Sequence, residues 1–200
     1  MKKVTKNKID RRQFLKIPLA ISLFPFFSIN NLLAGQKFQL TDAKPIKIAV
    51  SMLEVSDNYR MPLVDPYVEH RMRRSPSSAL ASWAHTILRP AGLDGTAKMS
   101  ITKASASITN IGGKTKFLDL FRNNQASRIN IILSGKLEII KERSGSSGYV
   151  NVEAKFSKTA PEAASVNQLE KIWDESLVSA IGKFDSEFRK QILDLSQFLL

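Results

Sequence analysis

The sequence predicts an α+β fold: a mainly antiparallel four-stranded sheet covered on one face by two helices, in the order β-α-β-β-β-α, closed by a long C-terminal helix. Three observations predict it. Apolar residues recur at every second position in stretches 46–52, 97–108, 128–141 and 149–158, the period of a half-buried strand. They recur at helical spacing in 75–88 and 165–198. The last two strand-like stretches are joined by Ser144-Gly145-Ser146-Ser147-Gly148, the composition of a hairpin turn, so the sheet is mainly antiparallel and its apolar face needs the helices as cover.

The chain opens on an address. Residues 1–16 are basic and end in Arg11-Arg12-Gln13-Phe14-Leu15-Lys16. Arg11, Arg12, Phe14, Leu15 and Lys16 carry the pattern of a twin-arginine export signal, so the twin-arginine translocase is the expected partner during export and the periplasm the destination. Ile17 to Leu33 has no charge, and Pro18, Pro25, Asn30 and Asn31 dilute it. That suits a signal better than a permanent span of about 20 apolar residues. Cleavage is expected after Ala34, although Leu32 stands at −3 where a small residue is preferred; the alternative is an uncleaved anchor in the inner membrane. The expected plan is a signal over 1–34, a linker over 35–45 ending at Pro45, and one α+β domain over 46–200.

Ile46, Ile48, Val50 and Met52 alternate with polar or small residues and predict one strand. Residues 57–74, with Pro62 and Pro66, show no period and predict an irregular crossing segment. Ser75-Pro76 is a helix start, Ser at the N-cap and Pro at the first helical position. Leu80, Trp83, Ala84, Ile87 and Leu88 form its apolar face, and Pro90 and Gly92 stop it. Ala97, Met99 and Ile101 mark the second strand, broken by Gly112-Gly113; Phe117, Leu118, Leu120 and Phe121 suit one or two helical turns. Ile129, Ile131, Leu133, Leu137 and Ile139 line the strongest strand, where Gly135 interrupts the row as a bulge or bend. Val150, Val152, Ala154 and Phe156 line the returning strand. Ser165 and Gln168 form a capping-box pair. Leu169, Ile172, Trp173, Leu177, Ile181, Phe184, Phe188, Ile192, Leu195 and Phe198 then keep one helical stripe, with a kink or break expected at Gly182. The last turns, together with Leu199 and Leu200, either cover the sheet or extend past it as an apolar contact.

A 43% apolar and 24% charged composition is that of a globular protein. Residues 1–34 hold seven basic residues against Asp10, so half of the formal +12 lies in the signal. The rest is mildly basic, which suits contact with anionic lipid or glycolipid, and no basic stripe with interleaved aromatics points to nucleic acid. With no cysteine there are no disulfides, no thiolate metal sites and no lipobox, so a conventional lipoprotein is not expected.

Catalytic motifs are weak. Ile111-Gly112-Gly113-Lys114-Thr115 lacks the upstream glycine of a phosphate loop, with Ile108 in its place. His70 and His85 are the only histidines, too few for a metal centre without carboxylates, and the same scarcity weakens any Ser-His-Asp triad. No metal and no cofactor is expected. Asp57, Asp65 and Glu69 could serve acid–base chemistry, which places the alternative reading, a periplasmic hydrolase, in 57–75. A second hypothesis concerns Arg71, Arg73 and Arg74 just before a helix capped by Ser75: guanidinium forks and free N–H groups suit a lipid phosphate or an acidic partner.

Pro66-Tyr67-Val68-Glu69-His70, Ala81-Ser82-Trp83-Ala84, Ala104-Ser105, Ala160-Pro161-Glu162-Ala163 and Asn167-Gln168-Leu169-Glu170-Lys171-Ile172-Trp173 resemble a loose family of exported proteins of Gram-negative, alphaproteobacterial type. That resemblance implies a twin-arginine signal and no particular activity. The element order also resembles small envelope lipoproteins that assist ABC-type lipid transporters or lipopolysaccharide assembly, with the departure that the lipobox cysteine is missing. The expectation is therefore a non-catalytic periplasmic accessory or binding protein with an envelope lipid or protein partner. A membrane-anchored interaction module stands as a further alternative.

Overall fold

The computed structural model describes residues 44–111, 126–161 and 164–200. The elements are β1 (Ile46–Ile48), β2 (Met52–Asp57), α1 (Pro76–Ile87), β3 (Leu88–Pro90), β4 (Thr96–Asn110), β5 (Ser127–Lys141), β6 (Ser146–Ala160) and α2 (Val166–Gln191), the last carried on by 3-10 turns over Ile192–Phe198. The main sheet has four strands in the order β2-β4-β5-β6. β2 pairs β4 in parallel, and β4–β5 and β5–β6 are antiparallel. The expected α+β architecture is present, with α1 and α2 packed on the same face of the sheet.

The long strands follow their alternation. Ile129, Ile131, Leu133, Leu137 and Ile139 are buried, as are Val150, Val152 and Ala154 on β6. On β4 the register shifts between Ile101 and Lys103. That bulge inserts one residue, so Ala97, Met99 and Ile101 before it and Ala104, Ala106 and Ile108 after it all reach the core. The irregularity was expected at Gly135 on β5; it lies instead on β4, one residue past Ile101, which is the partner of Gly135. Gly135 has another reason to be glycine: a side chain there would strike the Met99 methyl and crowd the Phe184 ring.

Three elements depart from the sequence reading. The strand expected over 46–52 divides: Val50 N–H donates to the Ile48 carbonyl at 2.8 Å, a tight turn that passes the chain from β1 to β2. β1 pairs β3 in parallel, Ile46 opposite Leu88. Leu88 thus leaves the helix, whose last residue is Ile87, and is buried from a strand. α2 runs unbroken through Gly182, and the kink comes later, at Leu195 (φ −104°, ψ 28°).

Caps and aromatic packing fix the helices. Ser75 Oγ accepts the Ser78 N–H at 3.3 Å. Ser165 Oγ accepts the Gln168 N–H at 3.4 Å and Gln168 Oε1 accepts the Ser165 N–H at 2.8 Å, the reciprocal capping box. Trp83 of α1 meets Phe184 and Phe188 of α2 edge to face, each at 5.0 Å between ring centroids. The C-terminal turns cover the core: Ile192, Leu195 and Phe198 are buried, and Phe198 C=O accepts the Ala49 N–H at 2.8 Å. Among the described residues no helix is long and apolar enough to cross a membrane.

Candidate functional site

The crossing segment is held by polar anchors. Glu69 is buried in a 3-10 turn (Glu69–Arg71) beside β4. Its Oε1 accepts the Ala106 N–H at 3.0 Å and the Tyr59 hydroxyl at 2.8 Å. Its Oε2 is buried with no partner among the described residues. Tyr59 is held above the ordinary phenol range, first by burial, then by its hydrogen bond to Glu69 and the nearby negative charge. His70 and His85 are both exposed. Among the described residues no group of three or more His, Asp or Glu side chains is placed to hold a metal.

The arginines before α1 stand among carboxylates. Arg71 lies 3.9 Å from Asp65 and Arg73 lies 3.8 Å from Asp174 on α2. Asp174 is pushed up by burial and by Glu170, against the opposing pull of Arg73 and Arg74. Arg73 thus reaches Asp174, which also feels the charge of Arg74, and Arg71 reaches Asp65, while the Ser75 hydroxyl is taken up in capping α1. Arg11, Arg12, Phe14, Leu15, Lys16 and Ala34 lie outside the described residues, as do residues 112–115 of the glycine turn and Phe117, Leu118, Leu120 and Phe121.

Two clefts lie elsewhere, along α2. One cleft of about 430 Å3 is lined by Glu153, Ala154, Lys155, Gly182, Lys183, Ser186 and Glu187. A second of about 370 Å3 is lined by Pro161, Ala164, Gln168, Lys171, Ile172 and Glu175. The first forms a groove beside β6, and the second lies past the end of that strand, between the turn that follows it and α2. β6 ends the sheet, and among the described residues its outer edge pairs with no strand. The charges here are mutually matched: Lys158 Nζ donates to Glu175 at 2.7 Å, Lys155 to Glu153 at 2.6 Å, and Lys183 Nζ to the Lys155 carbonyl at 3.4 Å. Lys158 and Lys155 hold Glu175 and Glu153 below the usual carboxylate range. A methyl added at Gly182 would meet nothing within 4 Å. Such a surface can bind by shape, backbone and charge.

Sequence reasoning did not find this groove. Its one signal was Gly182 inside a helical stripe, which reads equally as a kink. Which strand ends the sheet is a property of topology, and periodicity is silent on it.

No protein-family model matches the chain, and no curated protein matches it in sequence. Among solved structures it is similar to a minor lipoprotein from Acinetobacter baumannii, at 10% identity and a TM-score of 0.37 over 76% of this chain and 96% of that one. It is also similar to the rare lipoprotein B from Shewanella oneidensis, at 8% identity and a TM-score of 0.34 over 72% of this chain and 98% of that one. These are remote likenesses of chain path and do not bear on activity.

Proposed function

We propose that this is an exported, non-catalytic binding protein of the bacterial cell envelope, with the groove between β6 and α2 as its binding surface. The observation that carries the reading is the cleft between β6 and α2. This cleft runs beside an unpaired strand edge and is lined by charged residues together with Ala154 and Gly182. The Tyr59–Glu69 pair is engaged in holding the crossing segment to β4. Strand edges and helix-flanked grooves take extended segments by backbone hydrogen bonding, with side chains adding selectivity. The export pattern at Arg11-Arg12 supports an envelope destination, and the mild positive charge of the rest suits a polar, anionic environment.

The experiment is recovery of the chain from the periplasm of a Gram-negative host, with mass spectrometry of whatever travels with it. A stoichiometric protein or lipid is expected, and Gly182→Arg, which fills the groove from an open position, should deplete it. A chain with nothing bound, together with hydrolytic activity that Glu69→Ala and His70→Ala abolish, would overturn the reading in favour of a hydrolase in 57–75.

A further inference from the structure

The outer edge of β6 has a defined chemistry. Ala106 and Ile108 on β4 turn their backbone groups to the crossing segment, so the odd-numbered residues between and beside them bond β5. Through the observed registers, Ser107 opposite Asn130 and Ile131 opposite Phe156, the even-numbered residues of β6 bond β5. The odd-numbered ones, Tyr149 to Thr159, therefore turn N–H and C=O to the free edge. The Lys155 carbonyl agrees, since it accepts from Lys183 of the overhanging helix. The side chains of the same residues stand on the solvent face, and among them Glu153 and Lys155 carry the charge.

Long edges of this kind are usually blunted by proline, a bulge, charged side chains or a covering helix, and here α2 reaches the edge through Lys183 at the Lys155 carbonyl. β6 runs fifteen residues with no proline and an unshifted register. Lys158 is engaged by Glu175, and Lys155 stands beside Glu153.

We propose that β6 pairs antiparallel with β6 of a second copy of this chain about a two-fold axis at Ala154, joining two four-stranded sheets into one. This rests on the reading of the β6–α2 groove as the binding surface. Charge selects the partner and the register. With the axis at Ala154, Glu153 faces Lys155 of the second copy and Lys155 faces its Glu153. Asn151 then meets Ser157, and Tyr149 meets Thr159. All of these are odd-numbered, so every facing pair can exchange backbone hydrogen bonds. A slip of one residue on each strand moves the axis to Glu153 or to Lys155 and sets like charges directly opposite, which is unfavourable. Ala154, small and facing inward, meets its own copy at the close, non-hydrogen-bonded position on the axis. The interface is isologous and closes at two copies. Lys183 must release the Lys155 carbonyl for the ladder to form.

The test is light scattering on the chain recovered from the periplasm, over a concentration series. The native chain is expected to be a dimer. Glu153→Lys, and separately Lys155→Glu, should weaken association by about tenfold or more, because each places two like-charge pairs across the axis. The double variant, Glu153→Lys with Lys155→Glu, should restore it to within about threefold, as reciprocal charge exchange requires. A monomer at every concentration, a dimer indifferent to the single changes, or a double variant without rescue would each overturn the proposal. A monomer that holds a different polypeptide at this edge would overturn self-pairing and leave the binding-protein reading standing. An empty chain with Glu69-dependent hydrolysis would remove both.

Discussion

Glu69 Oε1 accepts the backbone N–H of Ala106 at 3.0 Å, so a side-chain carboxylate continues a strand ladder. β2 ends opposite Ile101, and beyond it β4 is paired by the crossing segment: Ile108 N–H donates to Pro66 C=O and Val68 N–H to Ala106 C=O, each at 2.9 Å. Glu69→Ala strands the Ala106 N–H and the Tyr59 hydroxyl together and should cost about 2–4 kcal/mol. Glu69→Gln keeps an acceptor and should cost about 1 kcal/mol. Urea midpoints at constant slope measure both, and equal losses would show that the carboxylate is not the bridge.

Tyr59 gives this anchor a pH signature. Its folded-state pKa is raised above the ordinary phenol value. Above about pH 10 the unfolded chain releases this proton while the folded chain keeps it, so stability is full below that pH and falls as pH rises. Tyr59→Phe should lower stability by about 1 kcal/mol at neutral pH and flatten the alkaline decline. An unchanged alkaline decline in that variant would assign it to another group.

The two helices are tied by a second polar link. Trp83 Nε1 donates to Asp185 Oδ1 at 3.0 Å, and Arg189 Nε donates to Asp185 Oδ2 at 2.8 Å. Trp83 is fully buried, so Asp185→Ala leaves its N–H unpaired and should cost about 2–3 kcal/mol. Trp83→Phe with Asp185→Ala should be less damaging than the sum of the singles, with a coupling of about 1 kcal/mol. Additive losses by thermal denaturation would show that the pair is not coupled.

Two glycines should respond in opposite directions. Gly135→Ala drives a methyl into Met99 and Phe184 and should destabilise by about 1–3 kcal/mol. Gly182→Ala adds a methyl in open space within a helix and should stabilise by up to about 1 kcal/mol. Both are read from denaturant midpoints, and a stabilising Gly135→Ala would contradict the packing at the bulge.

Arg11→Lys with Arg12→Lys should abolish periplasmic delivery, since the translocase reads the arginine pair itself. Cell fractionation checks it. Continued export of that double variant would show that the stretch is not a twin-arginine signal.

The fold was legible where one face decides the pattern. Leu133 and Val152 sit in long alternating runs, Trp83 and Phe184 in helical ones, and Ser165 with Gln168 announces a helix start, so strands, helices and the sheet's cover follow from local chemistry. The turn at Val50 was not legible, because Ile48, Val50 and Met52 keep their alternation while the backbone changes sheets; only the exposure of Met52 (58%) betrays it. Leu88 suited the helix face equally well, and its pairing with Ile46 is a long-range fact. The groove was illegible for the same reason: Glu153, Lys155 and Gly182 become neighbours only once β6 is the last strand and α2 lies along it.

Site-specific photo-crosslinking in living cells tests most directly that this chain works by binding along β6 and α2. The crosslinker is placed in turn at Lys155, at Gly182 and, as a control, at exposed Leu63 in the crossing segment. One discrete adduct, identified by mass spectrometry as a second copy or a single envelope partner, is predicted from Lys155 and Gly182 and none from Leu63. Absence of an adduct from both groove positions, or the same adduct from all three, would contradict it.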